Sequence, residues 1–454
     1  MNIKELLQKK NLLLQEIIIN GWVRSFRSNR FIELNDGSTL KSLQIIIMES
    51  NFSKELLKKI TVGIALLIKG IIIESPGKKQ IAEVISTIIQ IYNKVSVNEI
   101  NKTILQPKHH KLEKLREQAH LRFRTRLFSS IMRIRHQLSF YTHLYFYSHG
   151  FFYMHTPIIT SLDAEGIGDM FRVTFINFNN LLRNNQQQFD DTKDFFGNET
   201  YLSVSGQLEG ETAAISLGQI YTFGPTFRAE NSNTLRHLSE FWMIEPEMAF
   251  YEIKDNINLA EDFLTFIIIK IFKKCREDIC FLSYKEGSIL ERLQIIITNS
   301  FCRISYSEAI TILTNHKYTV SWGIDMQSEH ERYLVKYFCL PIILLNSPIQ
   351  GKAFYMRLND DEKTVSSMDI IFPIIGEVIG GSQREERYEL LLNRMQSLGV
   401  SEKSYWWYAD TRRFGSVPHS GFGLGFDRLV QFVTGMVNIR DVIPFPRTPK
   451  NAEF

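Results

Sequence analysis

The chain has 454 residues, 44% of them apolar and 22% charged, the profile of an ordinary soluble globular protein with room for two domains. Its formal net charge of +4 permits nucleic-acid binding but is too small to demonstrate it, so local patches must carry that case. Cys275, Cys280, Cys302 and Cys339 show no CxxC pairing and no histidine at zinc-ligand spacing, which leaves buried thiols in a reducing cytosol as the expectation. Met1–Lys10 lacks the apolar block of a secretory signal, and apolar runs such as Ile64–Ile68 and Phe263–Ile269 fall far short of a membrane span. A cytoplasmic protein with no membrane association is expected.

Five short apolar runs come first: Ile17–Val23, Phe31–Leu34, Leu43–Met48, Gly63–Ile73 and Ile81–Ile91, with turn signals at Asn35–Ser38 and Ser75–Gly77. Five strands in so small a unit predict an OB-type barrel, a fold whose open face binds oligonucleotides. Arg24, Arg27 and Arg30 put positive charge near Phe31, either a base-stacking platform or a solvated basic edge. Residues 93–125 are polar and basic, with Lys108–Lys111, Lys114, Arg116, Arg122 and Arg124. They read equally as a hinge passing along a nucleic acid or as a plain solvated linker.

Apolar residues at Ile131, Ile134, Leu138 and Tyr141 predict a helix over 127–148, and Gly150–Ile159 reads as a strand whose Pro157 suits an edge. Glu165–Met170 is glycine-rich and could close over a ligand, and Asn184–Asp194 reads as an exposed insertion. Residues 251–345 alternate helical and short extended pieces without defensible chemistry, and His330-Glu331 lacks the second histidine of HExxH.

Phe223–Glu247 reads as two extended runs joined by a polar loop at Asn231–Arg236. Side chains two apart share a face, so Arg228 and Glu230 go together on the first run, and Phe241 and Glu245 on the second. A hairpin would gather a cation, two carboxylates, an aromatic plate and His237, a set able to hold a nucleotide by phosphate, base and exocyclic amine. No GxxxxGK[ST] occurs, and the Gly-x-Gly after His419 is followed by no βαβ unit, so P-loop and dinucleotide-fold readings fail.

Phe227–Glu230, the loop to Arg236-His237 and Glu240-Phe241 together resemble motif 2 of class II aminoacyl-tRNA synthetases, and the wording Asn231–Leu238 is similar to the bacterial asparaginyl branch. The helix and strand ending at Pro157 resemble motif 1, which builds the family's dimer interface. Gly423-Leu-Gly-x-x-Arg428 resembles motif 3, and the tail Asp441–Arg447 also matches the aspartyl, asparaginyl and lysyl subgroup. The resemblance covers almost the whole chain, with the three motifs in order. It implies an α+β protein: an antiparallel sheet of six or seven strands flanked by helices, preceded by an OB-type anticodon-binding barrel. Expected boundaries are 1–103 for the barrel, 104–125 for a hinge and 126–454 for the catalytic domain, with motif 1 near 130–160, motif 2 near 219–250 and motif 3 near 419–433.

The resemblance also implies a reaction: ATP-dependent, Mg2+-assisted activation of an amino acid and its transfer to the 3′ end of a tRNA, by a homodimer. In family terms, Arg228, His237 and Arg428 act on the phosphates, Phe241 stacks adenine, and Glu230 accepts from the adenine amine. Asp369 and Glu377 hold Mg2+, with one more residue between them than in aspartyl relatives. Gln207 and Glu245 match groups that hold the substrate α-ammonium, and Arg384 matches the arginine that bonds the substrate side chain. Aspartyl enzymes carry a lysine where this chain has Gly210, followed by Glu211. A carboxamide offers N–H donors and wants an acceptor, so the exchange favours L-asparagine, and hence tRNA(Asn). In the barrel, Gly21–Arg24 and Asp36–Ser38 resemble the subgroup's anticodon domain, and the residues that grip the central anticodon uridine map onto Phe31, Gln44 and Glu83. The loop before Phe31 is shorter than the family's.

Overall fold

In the computed structural model, which describes residues 1–8, 13–77, 80–106, 108, 110–164, 169–176 and 190–454, two units separate: Met1–Ile134 with Phe454, and Arg135–Glu453. The first contains β1 (Glu16–Arg27), β2 (Phe31–Asn35), β3 (Leu43–Ile46), β4 (Ala65–Glu74) and β5 (Ala82–Ile91), closed in the order β1-β2-β3-β5-β4. Alternation does the sorting: Ile17, Ile19, Val23, Ile32, Leu34, Leu43, Ile45, Leu66, Ile68 and Val84 all point inward. Ser28 and Asn29 both take φ of 52°, the tight left-handed turn that joins β1 to β2. A helix at Lys54–Lys59, capped by the Ser53 hydroxyl, fills the gap between β3 and β4.

Several basic residues of the 93–125 stretch lie on short helices at Leu112–Glu117 and Ala119–Arg122. Arg122 is not solvated, as a linker residue would be; it is buried, its guanidinium 4.0 Å from the Phe128 ring.

The second unit is built on an eight-stranded sheet, wider than the six or seven expected. Its strands are β6 (Phe152–Tyr153), β10 (Gln219–Phe227), β11 (Glu240–Ala249), β12 (Cys302–Ser305), β13 (Ile342–Leu345), β14 (Ser367–Phe372), β15 (Gly376–Gln383) and β16 (His419–Gly425). They run in the order β12-β13-β14-β15-β16-β11-β10-β6. The sheet is antiparallel except at its two edges, where β12 pairs with β13 and β6 with β10 in parallel. β7 (Ile159–Thr160), β8 (Arg172–Val173) and β9 (Thr200–Leu202) form a separate small sheet. The strand expected over 150–159 is therefore two short pieces in different sheets, with Pro157 between them. A residue without an N–H cannot continue either ladder.

The expected helix over 127–148 spans Arg126–Ser148. A second long helix, Ile253–Lys274, buries Ile257, Ala260, Phe263, Leu264, Ile267, Ile268 and Ile271, and its Asn256 donates to the Gly421 carbonyl at 2.9 Å. One face of the sheet is so covered, leaving the other for chemistry. Of the cysteines only Cys275 is buried; Cys280 and Cys339 are exposed and Cys302 lies between, which corrects the expectation of four buried thiols. Among the described residues no helix is long and apolar enough to cross a membrane. Residues 165–168 of the glycine-rich loop and 184–189 of the insertion lie outside the described residues.

Candidate active site

The register of the central strands decides which side chains meet. Thr226 pairs with Phe241, Thr222 with Glu245 and Ile220 with Glu247. Glu247 in turn pairs with Gly421, Ser382 with Gly421, and Asp369 with Gly380. Paired residues share a face, so Phe241, Met243, Glu245, Glu247, Gly421, Gly423, Gly380, Ser382 and Asp369 line one continuous floor. Glycine at 380, 421 and 423 keeps that floor low. A Cβ at Gly421 would sit 2.2 Å from the Glu247 carboxylate, so only glycine fits beneath that carboxylate.

One end of the floor is an open cleft. Arg228, Glu230, His237, Phe241, Glu377 and Arg428 all line it, together with Arg236 and Met243. The strand ends at Phe227, one residue short of Arg228, which with Glu230 lies in the connecting loop rather than on the expected strand. The Arg228 amide still bonds the Ser239 carbonyl at 3.0 Å, which keeps its side chain on the cleft face, 5.5 Å from the centre of the Phe241 ring. Arg428 donates to the Glu377 carbonyl at 2.9 Å. Burial pushes the His237 imidazole below its ordinary value, and Arg428 and Arg228 push it the same way. Asp427 also borders the cleft, but it is buried, paired with Arg135 at 2.5 Å, and accepts from the Trp242 amide at 2.9 Å.

Asp369 and Glu377 converge over Gly380, where an added Cβ would be 3.6 Å from one carboxylate and 3.1 Å from the other. Their odd spacing is explained by a bulge: Ile370 pairs with Ile379 but Ile371 with Glu377, so Val378 is the extra residue. Without it Glu377 and Gly380 would point to opposite faces. Burial drives the Asp369 carboxyl up to about 7; Lys352 opposes the shift, and Glu377 and Glu331 add to it. Two carboxylates that converge at the edge of an arginine-rich cleft suit a hard divalent cation that takes its remaining oxygens from phosphate. Glu331 comes from the 251–345 stretch to which the sequence assigned no chemistry.

The other end of the floor is closed. Gln207 and Glu211 lie one turn apart on the Gln207–Leu217 helix, and Gln207 Nε2 donates to Glu211 Oε1 at 2.8 Å. Glu211 is fully buried; its Oε2 receives Tyr408 Oη at 2.6 Å and Arg412 Nη2 at 2.5 Å, with His419 Nε2 at 3.2 Å. Burial pushes the Glu211 carboxyl up, but Arg412, then His419 and Arg384, overturn this and hold it well below the usual range. Arg384 grips Glu247 through Nε at 3.2 Å and through Nη2, donates to Ser382 Oγ at 2.8 Å, and keeps its Nε 3.7 Å from Glu211 Oε1. Glu245 accepts from Ser205 Oγ at 2.5 Å, Thr222 Oγ1 at 2.9 Å and the Gly206 amide at 3.1 Å.

Glu247, Tyr408, Arg412 and His419 were not singled out in the sequence as pocket residues. For Glu247 the signal was there: the period of two that joins Phe241 to Glu245 continues to Glu247. The other three meet Glu211 only through the fold.

On the barrel, Phe31 pairs with Ile46, Glu33 with Gln44, and Gln44 with Glu83. Phe31, Gln44 and Glu83 therefore share the outer face. Arg30 stands 5.5 Å from the Phe31 ring centre, and Glu83 accepts from Ser75 Oγ at 2.6 Å and Gln80 Nε2 at 2.5 Å.

Residues 111–449 match the model of the tRNA synthetases class II (D, K and N). An asparagine–tRNA ligase of Cytophaga hutchinsonii is 52% identical over 462 residues, covering 100% of this chain and 99% of that protein. One of Porphyromonas gingivalis is 51% identical over 452 residues, covering 97% and 96%. Among solved structures, an asparaginyl-tRNA synthetase of Pyrococcus horikoshii complexed with asparaginyl-adenylate superposes with a TM-score of 0.87 at 30% identity, covering 100% of this chain and 99% of that one.

Proposed function

The chain belongs to the class II tRNA synthetases of the D, K and N group, and from that premise we propose that it is an asparagine–tRNA ligase, activating L-asparagine with ATP and loading it onto tRNA(Asn). The observation that carries the choice of amino acid is Glu211 Oε1 lying 3.7 Å from Arg384 Nε at the closed end of the floor. Carboxamide N–H groups meet an acceptor in Glu211, and the carboxamide oxygen meets a donor in Arg384. A β-carboxylate would set its charge against Glu211.

An oxygen of the asparagine α-carboxylate attacks the α-phosphorus of ATP, and the bond to the departing pyrophosphate breaks. The resulting acyl-adenylate then yields its acyl group to the terminal 3′-hydroxyl of the tRNA, releasing AMP. No protein nucleophile is needed, so the chain contributes position and charge. Arg228 bridges the α-phosphate and the substrate carboxylate, His237 and Arg428 hold the γ-phosphate, and Phe241 stacks the adenine against Arg428. Glu230 accepts from the adenine amine, while Gln207 and Glu245 take the α-ammonium. Magnesium, when bound by Asp369 and Glu377, neutralises phosphate charge.

Phe31, Gln44 and Glu83 grip the anticodon, and the Ser28-Asn29 turn leaves little loop for further contacts there. The unit acts as a homodimer in the cytoplasm. The Arg126–Ser148 helix and β6 support this, since they leave Phe140, Tyr147, Phe152 and Tyr153 more than half exposed. The test is aminoacylation: ATP-dependent attachment of labelled asparagine to tRNA(Asn), lost when the central anticodon base is replaced. Equal charging of tRNAs with unrelated anticodons would sink the barrel's role.

A further inference from the structure

The closed end of the pocket holds more donors than substrate recognition requires. Tyr408 and Arg412 sit on one face of the Trp406–Arg413 helix, and both put a donor on Glu211 Oε2, at 2.6 and 2.5 Å. Arg412 is itself pinned, its Nε to the Glu385 carbonyl at 3.0 Å, its Nη1 to Thr411 Oγ1 at 2.8 Å and its Nη2 to Tyr408 Oη at 2.7 Å. His419 donates from Nδ1 to the Val417 carbonyl at 2.8 Å, which fixes the ring with Nε2 toward Glu211 and Arg412. All of this converges on Glu211 Oε2. Glu211 Oε1 is left with Gln207 and the more distant Arg384.

We propose that Tyr408 and Arg412 are positioning residues that hold Glu211 as a proton-free acceptor, and that this is what bars aspartate from the pocket. The inference rests on the asparagine-activating reading above.

Asparagine and aspartate differ at one atom, an NH2 against an oxygen. A proton-free Glu211 can only accept, so it welcomes the first and repels the second. A protonated Glu211 could donate to the aspartate carboxylate, and the bar would lift. The charges around it decide which form persists. Arg384, from the end of β15, is engaged by both atoms of the Glu247 carboxylate on β11, leaving Arg412 as the cation that answers for Glu211. Beyond these, His419 opens β16, Glu245 lies on β11 beneath the helix, and Glu209 and Gln207 share the helix with Glu211. Burial already pushes the Glu247 carboxyl up against the pull of Arg384; without Arg412, Glu211 loses the cation that outweighs its own burial, and two buried carboxylates left with one arginine take up a proton between them.

The experiment is pyrophosphate exchange with asparagine and with aspartate, on the full chain and its Arg412→Met, Arg412→Lys and Tyr408→Phe variants, from about pH 6 to about pH 8. For Arg412→Met, the asparagine-to-aspartate ratio of kcat/KM should fall about a hundredfold and furthest at the acid end, with Arg412→Lys recovering most of the loss. Tyr408→Phe removes one donor and should lower the ratio about tenfold. A folded Arg412→Met protein whose ratio matches the wild type at every pH overturns the proposal. If that variant does not fold, an unchanged ratio in Tyr408→Phe overturns it instead. Absence of asparagine exchange in the wild-type protein would remove the reaction itself, and this inference with it.

Discussion

The two ends of the site floor solve opposite electrostatic problems. The end proposed for the nucleotide is open and rich in arginine, with Arg228, Arg236 and Arg428 around Phe241 and a histidine whose imidazole is held below its ordinary value by burial and by those cations. The side-chain end is closed, and its charges are matched in place: Arg384 with Glu247, and Arg412 with Glu211. An open cationic cleft waits for charge that the ligand brings. A paired, buried set is rigid, and so suits an uncharged side chain recognised by hydrogen bonds alone. The same β11 strand serves both, with Phe241 at one end and Glu247 at the other.

If that division is right, damage at the two ends should look different. Arg228→Ala should abolish adenylate formation, by about a thousandfold or more, yet leave tRNA binding largely intact. Parallel loss in exchange and in tRNA-binding assays would break the distinction. Gly421→Ala strikes the rigid end, because the new methyl must displace the Glu247 carboxylate. Thermal denaturation should show a loss of about 1–3 kcal/mol, together with a raised KM for asparagine but not for ATP. Phe241→Ala strikes the open end and should raise the KM for ATP about tenfold, with little change in stability. A large drop in melting temperature would instead mean that the ring is structural.

The smallest expected effect is on pH dependence. Burial and nearby arginines hold the His237 imidazole below its ordinary value in the folded chain, whereas it takes a proton near 6.5 when unfolded. Folding therefore releases a proton, and the contribution present above pH 6.5 is lost as pH falls. His237→Asn should show a shallower loss of stability on the acid side in melting curves recorded without ATP. An identical acid limb would show that His237 is unperturbed.

How much of this could be read from the sequence follows from the range of the interactions. Barrel strands announced themselves by apolar runs and turn residues, and the cleft set from Arg228 to Arg428 followed from resemblance to family motifs. The break at Pro157 and the parallel edge strands were not visible, because both depend on which strand a short segment finds as partner. The spacing of Asp369 and Glu377 made sense only with the bulge at Val378. Arg412 and Tyr408 reach Glu211 across about 200 residues of chain, separations of 201 and 197. No local pattern encodes such a contact. Arg122 misled in the other direction: a basic residue in a basic stretch reads as solvated, yet the Phe128 ring covers it.

The most direct test of the whole account is pyrophosphate exchange into ATP by the wild-type chain, with asparagine and aspartate run side by side at neutral pH. A rigid, preorganised pocket beside a cationic cleft predicts exchange with asparagine and none with aspartate. Comparable exchange with both amino acids would contradict it, because a pocket closed by a proton-free Glu211 has no place for a second carboxylate.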